Sequence, residues 1–253
     1  MEYLLSAQAA AGFEYREQTG STNKDLLSKA EGLPEFFVLA TDFQTAGKGR
    51  MDRSWEANPG SSVMASILLR PQFNQSSGIG WLSLLTALAI TRAISNLGLA
   101  PKIKWPNDVL IAEKKVSGIL AEAATDLSCV VIGFGINVNQ STQQLPVDTA
   151  TSLSVENVGT VDRDQLLAAV IENIRTLYLE LSKVGGDATA SGLRQAVLEM
   201  SATVGSQVSV EYPDGKKAFG LAKDIDETGR LVVITQNETL SVSAGDVLHL
   251  RKA

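Results

Sequence analysis

Hydrophobic and polar residues follow two different periods along the first half of the chain. Short apolar runs, several of them alternating, predict strands at 13–18, 36–43, 62–69, 102–105, 109–112, 116–123 and 129–138. The segment Ser21-Thr22-Asn23 supplies N-cap side chains and predicts a helix through about residue 30. Apolar residues at helical spacing predict another helix over 81–97.

The connections between these elements indicate the class of fold. Consecutive strands are joined by tight turns, as between residues 112 and 115, which favours a largely antiparallel or mixed sheet over a doubly wound fold. Two further helices are expected at 161–184 and 187–200, with Gly185-Gly186 as the break between them. The first 200 residues are therefore predicted to form one domain, 1–200, of the α+β class.

The last fifty residues have a different pattern. From about Thr203 the chain reads as short strands, with turn signals at Pro213-Asp214-Gly215, Thr228-Gly229 and Ala244-Gly245. This pattern predicts a small all-β barrel over 201–253.

Composition excludes several classes of function. The chain has 253 residues, 44% of them hydrophobic, and a formal net charge of -6, which disfavours a general binder of nucleic acid or anionic membranes. The only histidine, His249, lies three residues before Lys252 at the C-terminal end, which argues against Ser-His-Asp and Cys-His catalysis and multi-histidine zinc sites. Cys129 is expected to be a small buried hydrophobe and His249 a surface residue of the barrel.

The cytoplasm is the expected compartment, because the single cysteine cannot form an internal disulfide. The N-terminus has no basic flank of the kind that precedes a signal peptide. The longest apolar region, 79–94, contains four polar residues and is expected to be too short and too polar to span a bilayer.

A glycine-containing loop over 44–60 is the first feature that suggests chemistry. Gly47 and Gly49 alternate with Lys48 and Arg50, and the stretch 47–53, which also contains Asp52 and Arg53, carries a local charge of +2. Such a loop suits an anionic ligand, although it has neither P-loop nor Rossmann spacing. Taken alone, it is explained equally well as a solvated surface turn.

Three later segments add polar residues and glycines at strand ends. They are the turn 104–108 (Lys-Trp-Pro-Asn-Asp), the segment 115–120 (Lys-Val-Ser-Gly-Ile-Leu) and the segment 133–139 (Gly-Phe-Gly-Ile-Asn-Val-Asn). A glycine inside a strand often marks a bulge or the close approach of a ligand. Each segment alone also has a purely structural explanation.

In this order and at these separations, the four segments, preceded by Ser21-Thr22-Asn23, closely resemble the biotin protein ligase family. The resemblance covers about residues 15–140, and the predicted barrel extends it to the chain end. It implies a mixed sheet with flanking helices, related to class II aminoacyl-tRNA synthetases, followed by an SH3-like barrel.

The resemblance also implies the roles of particular residues. The implied biotin-binding residues are Ser21, Thr22, Asn23, Gln44, Gly47, Lys48, Gly49, Arg50, Lys115, Gly118 and Gly135. The implied ATP-binding residues are Arg50, Trp55, Asn107, Lys115 and Asn137. Lys115, Arg50 and Lys48 are the implied catalytic cations, while Ile119 and Ile132 are candidates for either the biotin slot or the core.

The family reaction has two steps. Biotin and ATP, with Mg²⁺, form biotinyl-5′-AMP, and a lysine of a biotin carboxyl carrier protein domain then attacks this mixed anhydride. Charge neutralisation and alignment suffice for the first step, which suits a chain without a Cys-His or Ser-His pair. The sequence identifies no general base for the second step.

Two departures and two alternatives accompany this interpretation. Lys48 stands where the family usually has arginine, so the charge is kept but the bidentate fork is lost, and Met51-Asp52 replaces a more basic continuation. About a dozen residues precede the first strand, so a member without DNA binding, monomeric or homodimeric, is expected. The alternatives are a lipoate or octanoate ligase and a non-catalytic biotin-binding regulator.

Overall fold

A seven-stranded mixed sheet forms the centre of the computed structural model, which describes residues 3–51, 53–73, 77–156, 158–211, 217–243 and 246–249. Its strands are β1 (Gly12–Thr19), β2 (Phe37–Gln44), β3 (Ser62–Leu69), β4 (Lys102–Lys104), β5 (Asp108–Ile111), β6 (Lys114–Ala123) and β7 (Val130–Asn137). The order is β1-β2-β3-β7-β6-β5-β4, in which β1 and β2 are parallel and all other neighbours are antiparallel. The predicted mixed sheet is confirmed.

Helices cover both faces of this sheet. They are α1 (Leu4–Ala9), α2 (Thr22–Ser28), α3 (Ser77–Gly80), α4 (Leu82–Ser95), α5 (Arg163–Lys183) and α6 (Leu193–Glu199), with a 3₁₀ turn at Thr142–Gln144. α4 and α5 pack together against one face and form the main hydrophobic core with it. α2 packs on the other face through Leu26. This second face carries the candidate site.

The C-terminal segment forms a separate antiparallel sheet. Its strands are β8 (Gln207–Glu211), β9 (Lys217–Ile225), β10 (Leu231–Ile234), β11 (Thr239–Val242) and β12 (Asp246–His249), in the order β11-β10-β9-β8-β12. The expected turns at 213–215 and 244–245, and the side chain of His249, lie outside the described residues. The all-β character predicted from Thr203 onward is confirmed for the strands described.

A bulge between β5 and β6 changes which side chains face the site. Asp108 is opposite Gly118, but Leu110 is opposite Lys115, so the register shifts by one residue at Val116. Side chains alternate faces along a strand, and without the extra residue Lys115 and Gly118 would point to opposite faces. The bulge therefore places Lys115 on the same face as Gly118 and Asp108.

Two helices differ from the sequence prediction. The helix expected over 187–200 begins only at Leu193, because Gly192 has a φ of 77° and the Asp187 carboxylate accepts backbone N–H groups in a preceding turn. α1 was not predicted, since its N-terminal N–H groups bond a residue far along the chain. The Asp164 carboxylate accepts hydrogen bonds from the backbone N–H groups of Leu5 (2.9 Å) and Ser6 (2.8 Å).

The apolar segment Gly78–Ser95 covers most of α3 and all of α4 and lies in the core. By length and composition it is able to cross a membrane, contrary to the expectation that it is too short and too polar. However, 72% of it is buried inside the fold, where it packs against α5 and the sheet. Cys129 is buried, as expected.

Replacing Asp164 with Asn is expected to make the free energy of unfolding vary less with pH in the acid range. Burial raises the pKa of Asp164, but hydrogen bonds from Ser6 and nearby backbone N–H groups outweigh it, and the pKa is lowered overall. The carboxylate therefore stabilises the fold above its unfolded pKa, and this contribution is lost as the pH falls through its folded pKa. In denaturant unfolding, the variant is expected to lose about 1 kcal/mol of the free energy of unfolding at pH 7. The difference from wild type should become smaller below about pH 4.

Candidate active site

A cationic cavity of about 260 Å³ lies on the α2 face of the sheet. Among its described lining residues, five are cationic (Lys48, Arg50, Arg53, Lys104 and Lys115) and one, Asp108, is acidic. The cavity concentrates positive charge in a protein whose net charge is -6. Such a cavity favours an anionic ligand.

A network of uncharged polar groups forms one end of the cavity. The Gln44 side-chain carbonyl accepts a hydrogen bond from the Thr22 backbone N–H (2.8 Å) and lies 3.1 Å from the Thr22 hydroxyl. Gln44 thus caps α2. The Ser21 side chain, which the sequence predicts as a cap, makes no cap hydrogen bond. The Ser66 hydroxyl lies 2.7 Å from both Thr22 Oγ1 and Asn23 Oδ1.

Glycines make the floor of the cavity flat. Gly118 and Gly135 are opposite each other on β6 and β7, and the Trp55 indole lies over both. A Cβ at position 135 would stand 2.3 Å from the Trp55 ring, and one at position 133 would stand 2.2 Å from Asn23 Oδ1. Glycine is therefore required at both positions by close packing. The structure brings Trp55 onto glycines that were predicted to bind biotin.

The Trp55 indole N–H is a hydrogen-bond donor inside this site. Its nitrogen is buried and has no acceptor in the part of the chain that the structure describes. Buried donors are normally paired, so this N–H is available to an acceptor group of a bound ligand.

Lys115 contacts both the acidic residue and the indole ring of the cavity lining. Its ammonium group is 2.7 Å from Asp108 Oδ1 and 5.9 Å from the centroid of the Trp55 ring. The Lys115 side chain remains 39% exposed, so the pair with Asp108 does not remove it from the cavity. The carboxylate orients the ammonium group while leaving it accessible to a substrate anion.

Arg50 is held beside Lys115 by the turn that follows β4. One Arg50 guanidinium N–H donates to Asn107 Oδ1 at 3.3 Å, and Asn107 Nδ2 donates to the Ile119 carbonyl at 2.6 Å. Burial lowers the pKa of Arg50, with Asp108 opposing and Arg53 adding to the shift. An arginine so placed remains protonated at neutral pH and supplies fixed positive charge.

The loop that carries Lys48 and Arg50 is folded on itself. The backbone N–H of Gly49 donates to the Arg53 carbonyl (2.6 Å), and the backbone N–H of Trp55 donates to the Gly47 carbonyl (2.9 Å). A Cβ at position 47 would stand 2.6 Å from the Trp55 carbonyl oxygen. The loop's own backbone therefore accounts for the glycine at position 47, and Gly47 lies outside the described cavity lining.

Several predicted site residues lie elsewhere. Asn137 is 4% exposed and outside the described cavity lining, where it donates to the Thr151 carbonyl (3.0 Å) and accepts from Gln140 (3.2 Å). Ile132 lies in the main core, and Ile119 is among the residues that line the cavity although its side chain packs in the same core. Leu120, two residues after Gly118, is on the cavity face instead.

Sequence reasoning missed Asp108, Leu120, Lys104 and Arg53 as lining residues. The motif pattern places Asp108 in a turn, although the predicted hairpin puts it near the start of the next strand. Pairing the hairpin in register would have identified it, since residues opposite each other share a face. The remaining predicted residues Ser21, Thr22, Asn23, Gln44, Lys48, Gly49, Arg50, Trp55, Asn107, Lys115, Gly118 and Gly135 do line this cavity.

Comparison with known proteins agrees with the resemblance. Residues 15–137 match the biotin/lipoate A/B protein ligase family, and residues 203–250 match the biotin protein ligase C terminal domain. A biotin--[acetyl-CoA-carboxylase] ligase of Mycobacterium tuberculosis is 37% identical over 240 residues, covering 92% of this chain and 87% of that protein. The chain belongs to the biotin protein ligase family.

Other members of the biotin protein ligase family are also similar. The bifunctional ligase/repressor BirA of Bacillus subtilis is 33% identical, over 92% of this chain and 72% of that protein. The fold matches the Aquifex aeolicus biotin protein ligase solved with biotin and ATP, with a TM-score of 0.80 and 24% identity over 96% of this chain and 100% of that one.

Proposed function

We propose that this protein is an ATP-dependent carbon–nitrogen ligase that activates biotin to biotinyl-5′-AMP and transfers it to a lysine of a biotin carboxyl carrier protein domain. The observation that supports this most is the cavity itself. It joins an uncharged polar end at Thr22 and Gln44 to a glycine floor and a cationic end at Lys115 and Arg50. Biotin has the matching chemistry: a polar ureido ring, an apolar body and a carboxylate.

Adenylation requires two anions to meet. The biotin carboxylate attacks the α-phosphate of ATP, a new carboxylate–phosphate bond forms, and pyrophosphate leaves with the electron pair of the broken bond. Lys115 and Arg50 neutralise charge where it develops, and Lys48 adds a cation at the loop. Preorganised charges of this kind are the main protein contribution to phosphoryl-type transfer.

In the transfer step, a neutral lysine amine of the carrier domain attacks the mixed anhydride. The amine nitrogen bonds to the biotin carbonyl carbon, AMP leaves, and the nitrogen loses a proton. Asp108 holds the Lys115 ammonium group at 2.7 Å and thereby keeps it at the reacting carboxyl group. We assign Asp108 this positioning role and leave the proton acceptor unassigned.

Mg²⁺ would bind at this site mainly through the phosphates of the nucleotide. No group of three or more His, Cys, Asp or Glu side chains suited to a metal exists among the described residues. Mg²⁺ in nucleotide sites is held mainly by phosphates and water with one or two carboxylates, and Asp108 supplies a carboxylate among the described lining residues. Bound there, Mg²⁺ would neutralise phosphate charge.

We also propose the domain types, compartment and assembly state that this function implies. The main sheet and its helices would be a class II synthetase-like domain over residues 1–200, and the five antiparallel strands an SH3-like barrel over 201–253. We propose a cytoplasmic protein without a nucleic-acid partner, monomeric or homodimeric. Roles of Asn137 in ATP binding and of Trp55 beside adenine stay predictions.

ATP–pyrophosphate exchange with different acids tests the proposed function. We expect exchange with biotin and none with lipoate or with no acid. Exchange with lipoate alone would contradict the proposal in favour of a lipoate ligase. Failure of every acid to support exchange, with biotin still bound in calorimetry, would favour the non-catalytic regulator.

Replacing Arg50 with Gly is expected to release the intermediate early. The change removes a cavity cation and the hydrogen bond to Asn107, so biotinyl-AMP is held less tightly. Labelling of bystander lysines on an added non-carrier protein should rise about tenfold or more. Arg92→Gly, an exposed change outside the cavity lining, is the control. Equal labelling by wild type and Arg50→Gly would contradict this expectation.

A further inference from the structure

We infer that the C-terminal sheet positions the catalytic turn 105–108, through Thr203 and the Gly229 carbonyl. This inference rests on the proposed function. Trp105 is 2% exposed and lines the cavity, and both of its N–H groups donate to residues of the C-terminal part of the chain. The backbone N–H bonds Thr203 Oγ1 at 3.0 Å, and the indole N–H bonds the Gly229 carbonyl at 2.9 Å.

The turn between β9 and β10 that receives this indole is held together by hydrogen bonds to one carboxylate. The Asp226 carboxylate accepts from the Thr228 hydroxyl and N–H, the Arg230 N–H and the Ser241 hydroxyl, at 2.7 to 3.0 Å. The turn also packs directly on the N-terminal domain. A Cβ at position 80 would stand 2.2 Å from the Thr228 carbonyl oxygen, and one at position 229 would stand 2.9 Å from the Gly80 carbonyl oxygen.

Further backbone bonds continue the same attachment. The Ile103 N–H donates to the Met200 carbonyl, and the Ala202 N–H donates to the Ile103 carbonyl, each at 2.8 Å. The chain therefore enters the catalytic turn already bound on one side to residues 200–203. Only Pro106 separates Trp105 from Asn107, which holds Arg50, and the residue after Asn107 is Asp108, which holds Lys115.

The geometry divides the site into two parts. The cationic part, with Arg50 and Lys115, depends on a turn attached to the C-terminal sheet. The uncharged polar part, at Thr22 and Gln44, is held by α2 and β2 within the main domain. Loss of the attachment should therefore impair adenylation chemistry more than binding of the biotin ring.

Thr203→Val tests this inference, because it keeps the shape of a residue outside the described cavity lining and removes the acceptor for the Trp105 N–H. We expect kcat of biotin-dependent ATP–pyrophosphate exchange to fall about tenfold or more, with KM for biotin changed less than about threefold. Thr203→Ser, which keeps the hydroxyl, should restore kcat.

Trp81→Phe is the matched control. The fully buried Trp81 donates its indole N–H to the Glu227 carbonyl of the same turn at 2.9 Å, yet it lies outside the described cavity lining. It should lower the melting temperature as much as Thr203→Val does while keeping kcat within about twofold of wild type.

Three results would overturn the inference. One is a wild-type kcat in Thr203→Val, and another is a loss of kcat that Trp81→Phe shares at equal loss of melting temperature. The third is a wild type without biotin-dependent exchange, which alone would also overturn the proposed function.

Discussion

Lys115→Ala should reduce biotin-dependent ATP–pyrophosphate exchange by two to three orders of magnitude, equivalent to about 3–4 kcal/mol of lost preorganised charge. Lys115 is the exposed cation that the β5–β6 bulge turns toward Asp108 and the glycine floor. Removing it leaves the biotin carboxylate and the α-phosphate without the charge that allows them to approach. Exchange kinetics at saturating biotin and ATP measure the effect on the chemical step.

Lys114→Ala is the control for that experiment. Lys114 is the preceding residue on β6, is exposed, and lies outside the described lining of the cavity. It should retain exchange within about twofold of wild type. If Lys115→Ala keeps a near-normal rate, or if both variants lose activity alike, the catalytic centre has been placed wrongly.

Gly135→Ala should weaken biotin binding at least about tenfold, which corresponds to about 1.4 kcal/mol. The added methyl group would stand 2.3 Å from the Trp55 ring, so the ring has to leave the floor of the cavity. Both the methyl group and the displaced indole then take space from the biotin slot. Calorimetric titration with biotin measures this loss directly.

The matched control is Gly20→Ala. Gly20 precedes the cavity residue Ser21, and a Cβ there has no neighbour within 4 Å. The same chemical change in open space should leave the biotin affinity within about twofold of wild type. A normal affinity in Gly135→Ala, with a folded protein by circular dichroism, would show that position 135 is not in the slot.

Much of the site was predictable because its residues come from regular elements. The period of two in the apolar runs identified the strands, and motif order identified the segments that meet at one sheet face. Twelve predicted residues, from Ser21 to Gly135, line the cavity. They are brought together by α2, the loop after β2 and the β6–β7 pair, whose strands were each predicted from local sequence.

Three features show where local sequence stops being informative. Asn137 has a polar side chain at a strand end, but its side-chain amide is hydrogen-bonded to Gln140 and to the Thr151 carbonyl. Ile119 is adjacent in sequence to Gly118, yet alternation turns its side chain into the core. α1 has no local cap, because Asp164 supplies it across the fold.

Sequence by itself determined the strands, most helices, the local positive charge and the family. Tertiary structure decided the face on which Lys115 lies, the position of Trp55 over Gly118 and Gly135, and the attachment of Trp105 to the C-terminal sheet. The physical reason is that local composition determines whether a segment is extended or helical. Register, bulges and contacts between residues about a hundred positions apart depend on which surfaces pack together.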